Sequence, residues 1–137
     1  MLKPNKLAKK NFLSSLDLSA NEVLHILELA SNFKNQKINI DLKNKVLGLI
    51  FDKSSTRTRV SFQVAMTRLG GTTIDLNPTT SQIGRGEPIK DTARVLSRYC
   101  DVIAIRTFDH STLEEYSKWS TKPVSYTHLT LPTNSNV

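Results

Sequence analysis

Apolar residues recur along this chain in two alternating periods. Val23, Ile26, Leu27, Ala30 and Phe33 fall at helical spacing, and Ser19 with Glu22 forms a capping box ahead of them. A helix is therefore expected to run to about Lys34. After a polar connection over residues 35–44, the unbroken apolar run Val46–Phe51 reads as a buried strand. Residues 52–56 form a loop. Phe62, Ala65, Met66 and Leu69 then mark one face of a second helix, which Gly70 and Gly71 terminate. Thr72–Leu76 is β-branched enough for a second strand, and a polar, glycine-containing loop follows over residues 77–87. Pro88 suits the first turn of a third helix, whose apolar face is Ile89, Ala93, Leu96 and Cys100. Residues 102–105 form a third strand, and Ser111 with Glu114 is expected to cap a fourth helix reaching about Ser120.

Strands alternating with helices at this spacing mean βαβ units. The expected fold class is α/β, a mainly parallel sheet with helices on both faces. Residues 1–124 form one domain, and residues 125–137 an atypical tail. That tail, SYTHLTLPTNSNV, carries no charged residue, although the chain before it is rich in them. A fourth strand is one reading of it, but nothing after it has the pattern of a packing helix. It is expected to be disordered or foreign to the domain. Three strands alone would leave one sheet edge uncovered, which invites aggregation.

Composition narrows this picture. The 137 residues are enough for one ordinary domain. Cys100 is the single cysteine, so no disulfide can form within the chain, which fits a reducing, cytoplasmic setting. No apolar run approaches the ~18 residues needed to span a bilayer, and the lysines near the start precede no apolar signal segment. No membrane association is expected. A net charge of +7 admits nucleic acid or an anionic small molecule as partner. The distribution of cations separates the two. Up to Lys53 every cation is a lysine, whereas from Arg57 to Arg106 there are seven arginines and one lysine, Lys90. Those arginines lie near Ser, Thr and Gly at strand-to-helix turns, which suits a bidentate anion site. Aromatic residues do not interleave with the basic ones, so no nucleic-acid partner is expected.

The chemistry begins where the first strand ends. Ser54-Ser55-Thr56-Arg57-Thr58-Arg59 places four hydroxyls and two guanidinium groups where a helix starts. Free N–H groups at a helix N-terminus bind anions, hydroxyls add donors, and arginine matches phosphate oxygens with a planar fork. The plainer alternative is that Ser55 or Thr56 merely caps the helix while Arg57 and Arg59 face water. The Gly-x4-Gly-Lys-Ser/Thr pattern of a nucleoside-triphosphate loop is absent.

Ser55-Thr56-Arg57-Thr58-Arg59 resembles the carbamoyl phosphate motif of the aspartate and ornithine carbamoyltransferases. So do the longer segments FDKSSTRTRVSFQVAMTRLGG (residues 51–71) and SQIGRGEPIKDTARVLSRYCDVIAIRTF (residues 81–108). The GRGEP and DTARVLSRY stretches favour the ornithine branch. The resemblance covers residues 7–124 and stops before the His-Pro-Cys-Gln motif of that branch; here His128 is followed by Leu129, so no role passes to it. The resemblance implies that Ser55, Thr56, Arg57 and Thr58 hold the phosphate of carbamoyl phosphate. Arg106, at the end of the third strand, would reach phosphate and carbamoyl oxygen, making Arg57 and Arg106 the catalytic cations. Gln82 would act in a neighbouring subunit's site within a homotrimer or a multiple of trimers. L-ornithine would be held by a second domain, absent from these residues, so the chain alone is expected to be inactive. No metal and no organic cofactor is implied. Arg59 is expected to brace the loop or the helix rather than touch ligand. Cys100 is read as a core thiol, His25 and His110 as surface residues, and Asp91 and Arg94 as groups on a helix surface. Another carbamoyltransferase, for aspartate or putrescine, and a catalytically inactive anion-binding fragment remain as alternatives.

Overall fold

The apolar runs pair side by side as parallel strands. In the computed structural model, which describes residues 7–52 and 54–127, β1 (Val46–Phe51), β2 (Thr72–Leu76), β3 (Val102–Arg106) and β4 (Val124–Tyr126) form one sheet. Its order is β2-β1-β3-β4 and every pairing is parallel. Helices α1 (Ala20–Lys34), α2 (Thr56–Arg68), α3 (Ile89–Tyr99) and α4 (His110–Trp119) accompany it. Short 3-10 turns cover Ser15–Asp17 and Gln82–Arg85.

Strand periodicity sorts the side chains into two cores. Leu47, Leu49 and Phe51 of β1 and Ala104 of β3 face one side, where Phe62 and Met66 of α2 pack on them. Ile50, Ile103, Ile105 and Val124 face the other side, against Ala93 and Leu96 of α3 and Leu113 and Tyr116 of α4. Helices thus cover both faces, as the α/β pattern requires. The α3–α4 face is the larger core, with Leu113, Ile103 and Ile105 fully buried. Ser97, buried within it, is satisfied: its hydroxyl donates to the Ala93 carbonyl at 2.6 Å and accepts the Thr121 N–H at 3.0 Å. This bond ties α3 to the turn before β4.

The end of α2 follows from its two glycines. Gly70 has φ of 82°, its N–H donates to the Thr67 carbonyl, and the Gly71 N–H donates to Met66 at 2.8 Å. This double bond pattern satisfies carbonyls that the helix leaves open. A Cβ on Gly71 would lie 2.5 Å from Met66 Cε and 3.2 Å from the Lys45 carbonyl, so a side chain there would have to displace the Met66 tip and crowd the backbone ahead of β1.

Four features differ from the sequence expectations. The fourth helix is capped by Asp109, whose carboxylate accepts the Ser111 N–H at 3.0 Å, not by Ser111; Glu114 instead lies beside His110, one turn away. The sheet gains a fourth strand, which takes in Ser125 and Tyr126 of the expected tail. Its outer edge is partly closed by Phe12, which donates to the Val124 carbonyl at 2.9 Å and accepts from the Tyr126 N–H at 2.8 Å. Sequence patterns miss this contact because it joins chain ends over a hundred residues apart. The apolar face of α1 is not buried: Leu24 and Leu27 are exposed, and no residue of the helix is buried. Among the described residues no helix is long and apolar enough to cross a membrane.

The acid groups at strand and turn starts predict how stability responds to pH. Asp101 accepts the Val46 N–H at 2.9 Å, joining the starts of β1 and β3, and that bond holds its carboxyl below the usual range. Asp17 is lowered chiefly by its hydrogen bond from Lys9. A folded pKa below the unfolded one contributes stability that is present above about pH 4 and lost as pH falls through the folded value. Urea midpoints are expected to hold steady between about pH 5 and 8 and fall below pH 4, and Asp101→Asn should make that fall shallower. An equally steep fall in the variant would remove Asp101 from the account.

Candidate active site

The site lies where the sheet changes direction. From β1 the chain crosses through α2 to β2 on one side, and β3 returns on the other side of β1. Loops leaving neighbouring strands β1 and β3 therefore diverge and open a crevice beyond their carboxyl ends, the place where open parallel sheets bind ligands. Register makes the geometry definite. Phe51 pairs with Arg106, and the Asp52 N–H donates to the Arg106 carbonyl at 2.8 Å.

At this crevice α2 begins without a cap. Ser55 occupies the N-cap position with φ −151° and ψ 83°, is itself buried, and makes no side-chain capping bond; the first turn carries no acidic residue. By contrast Ser19 caps α1 and Asp109 caps α4 through their side chains. The Arg59 N–H closes the first helical bond to the Ser55 carbonyl at 3.1 Å. The N–H groups of Thr56, Arg57 and Thr58 precede it, so the helix supplies them no acceptor. The positive end of the helix is left facing the crevice.

Ser54, Ser55, Thr56, Arg57, Thr58 and Arg106 line one open cavity of about 550 Å³. Two guanidinium groups line it, and among the described residues no carboxylate does. The Nε of Arg106 is buried and has no hydrogen-bond partner among the described residues. Burying an unpaired donor is costly, so an arrangement of this kind is completed by an anion that accepts from it. Hydroxyls, amide N–H groups and two planar cations together suit a phosphate-sized dianion.

Five of the six residues singled out from sequence meet here: Ser55, Thr56, Arg57, Thr58 and Arg106. Ser54 joins them; its place in the same hydroxyl run was the available signal. Gln82 does not join. It sits exposed on the 3-10 turn after β2 and borders a separate, mainly apolar depression with Leu76, Ile83 and Val95. Arg59 turns away from the cavity: its Nε lies 3.0 Å from Asp75 Oδ2, an ion pair without the alignment of a directed hydrogen bond.

Cys100 is 2 % exposed, and burial pushes its thiol above the usual range, as befits a core residue. Asp91 and Arg94 lie on the exposed side of α3. His110 is exposed, but His25 is half-buried with Nε2 unpartnered, unlike the surface position expected for it. No group of three His, Cys, Asp or Glu residues among the described ones is placed to hold a metal ion. His128 lies outside the described residues.

A parallel α/β domain with an uncapped helix start and two arginines at its switch point defines an anion-binding domain. Comparison with known proteins narrows the class. The family profile described as aspartate/ornithine carbamoyltransferase, carbamoyl-P binding domain, matches residues 10–128. The chain belongs to that family and carries its carbamoyl-phosphate-binding domain. It is 82% identical over 124 residues to the ornithine carbamoyltransferase of Prochlorococcus marinus subsp. pastoris, covering 90% of this chain and 40% of that protein. The ornithine carbamoyltransferase of Pyrococcus furiosus superposes with a TM-score of 0.80 at 49% identity, over 88% of this chain and 40% of that one. The anabolic enzyme of Campylobacter jejuni superposes with a TM-score of 0.82 at 40% identity, over 90% of this chain and 40% of that one. The chain thus spans about 40% of the length of these curated relatives.

The absent capping bond separates a binding hydroxyl from a structural one. Ser55→Ala is expected to change unfolding free energy by no more than ~0.5 kcal/mol, whereas Ser19→Ala should lose ~1 kcal/mol as a true cap. Urea titration of both variants is the measurement. A loss at Ser55 equal to that at Ser19 would make Ser55 an ordinary cap.

Proposed function

We propose that this domain binds carbamoyl phosphate for an ornithine carbamoyltransferase, which transfers the carbamoyl group to the δ-amine of L-ornithine and releases L-citrulline and phosphate in arginine metabolism. The observation that carries this reading is the cavity in which the uncapped start of α2, the hydroxyls of Ser55, Thr56 and Thr58, and the arginines Arg57 and Arg106 converge. Relatives 82% identical over most of the chain bear the name ornithine carbamoyltransferase, which supports the ornithine branch.

In this reading the first-turn N–H groups and the hydroxyls of Ser55, Thr56 and Thr58 hold the phosphate oxygens. Arg57 grips the phosphate, and Arg106 spans phosphate and carbamoyl oxygen. The neutral δ-nitrogen attacks the carbamoyl carbon, the bond from that carbon to the bridging oxygen breaks, and the electron pair leaves on phosphate. The new C–N centre then loses its extra proton to phosphate or water. Negative charge grows on the carbonyl oxygen and on the departing phosphate, and fixed cations at those atoms stabilise the transition state more than the ground state. Neither a covalent nucleophile nor a metal or organic cofactor enters the scheme. L-ornithine is held by a segment beyond these residues, and Gln82 reaches a neighbouring subunit's site in a homotrimer or a multiple of trimers. The reaction is assigned to the cytoplasm.

Arg57→Ala in a full-length carbamoyltransferase carrying this domain is expected to lower kcat/KM for carbamoyl phosphate by about 100- to 1000-fold, the equivalent of ~2.7–4 kcal/mol for one donor. Turnover left intact would sink the assignment. Mixing inactive Arg57→Ala and Gln82→Ala full-length variants should restore part of the activity, because some shared sites then carry neither change. No recovery after verified subunit exchange would confine Gln82 to its own chain.

A further inference from the structure

We infer that Arg59 is a positioning residue for the phosphate site, acting through its ion pair with Asp75 and its contact with Phe51; this rests on the reading of that site given above. An anion site built on helix N–H groups works only if the helix start is held still relative to the opposing donor, here Arg106, to within about 0.5 Å. Apolar packing does not do this for α2. No residue of the helix is buried, Thr56 and Arg57 are exposed, and Val60 is 48% exposed. Phe62 is the first α2 side chain packed on the sheet, nearly two turns in.

Arg59 fills the gap. It ends the first turn, and its N–H is bonded to Ser55. Its Nε lies 3.0 Å from Asp75 Oδ2, and its Cζ lies 5.4 Å from the centre of the Phe51 ring. Phe51, buried at the end of β1, pairs directly with Arg106. Asp75 belongs to β2, in register with Leu49 of β1. One guanidinium thus fastens the first turn of α2 to two strands, one of which sets the position of Arg106. Of the ion pairs among the described residues, it is the one that joins α2 to the sheet. Arg59 lines no part of the cavity. The carboxylate of Asp75 also holds this third arginine away from the anion.

The test uses a full-length carbamoyltransferase carrying this domain, with inorganic phosphate as probe by isothermal titration calorimetry and thermal unfolding in parallel. Asp75→Asn is expected to weaken phosphate binding about tenfold, the scale seen when a group orienting a ligand-binding residue is lost. Its melting temperature should stay within about 4 °C of the parent. Asp75→Glu, which keeps the carboxylate, should retain near-parental affinity. If the two variants bind phosphate alike, or if weaker binding appears only alongside a large drop in melting temperature, Arg59 is structural and the inference fails. Arg57→Ala is the control: if it too leaves phosphate affinity unchanged, the failure belongs to the phosphate-site reading itself.

Discussion

The pairing of Phe51 with Arg106 across β1 and β3 is the contact on which the rest of the site depends. It puts the end of the first strand, and so the start of α2, beside the only long cation that projects from the end of the third strand. The two are far apart in sequence but adjacent at the sheet's switch point, where connecting helices leave on opposite faces. A slip of one residue in this register would move Arg106 to the other face of the sheet. The alternating buried residues of both strands, each set matched to its own core, make that slip costly.

Among the described residues, two arginines line the cavity with no carboxylate, one donor is buried without an acceptor, and a helix begins with no side-chain cap. Each of these works against the empty fold and favours an anion. By contrast Ser19 and Asp109 cap their helices, and Ser97 is bonded in the core. Where such departures gather beside cations and hydroxyls in one crevice, they mark it as a functional site.

The same logic applies to partners. α1 presents Leu24 and Leu27 to solvent, and the residues described here span about 40% of the curated relatives' length. In the proposed enzyme the amine substrate approaches an open phosphate site, and holding the amine against the carbamoyl carbon falls to a segment outside these residues. Orientation of that kind is worth up to ~7–11 kcal/mol in rate, so the binding half and the catalytic whole are different things.

Much was legible in the amino-acid order alone. Three strands, three of the helices and the α/β class follow from hydrophobic period and local residue type, which are local properties of the chain, and the fourth helix follows from a capping pair. The Gly70-Gly71 stop follows from the backbone freedom of glycine, and the run from Ser54 to Thr58 declares its chemistry because the donors are contiguous. What pattern could not supply was every contact between distant segments. The fourth strand is three residues long and stands because Ile103 and Ile105 border it and Phe12 bonds its outer edge. The cap of α4 falls on Asp109 rather than Ser111 because the path out of β3 decides where the helix starts. The amphipathic pattern of α1 specified a face but not what covers it. The hydroxyl of Ser55 reads equally well as a cap or as a ligand until the backbone around it is known, and Arg59 and Arg57, two residues apart, look alike until Asp75 claims one of them. Sequence determined which groups were available; tertiary packing decided which were left unpaired and facing one another, because pairing is a property of space rather than of chain order.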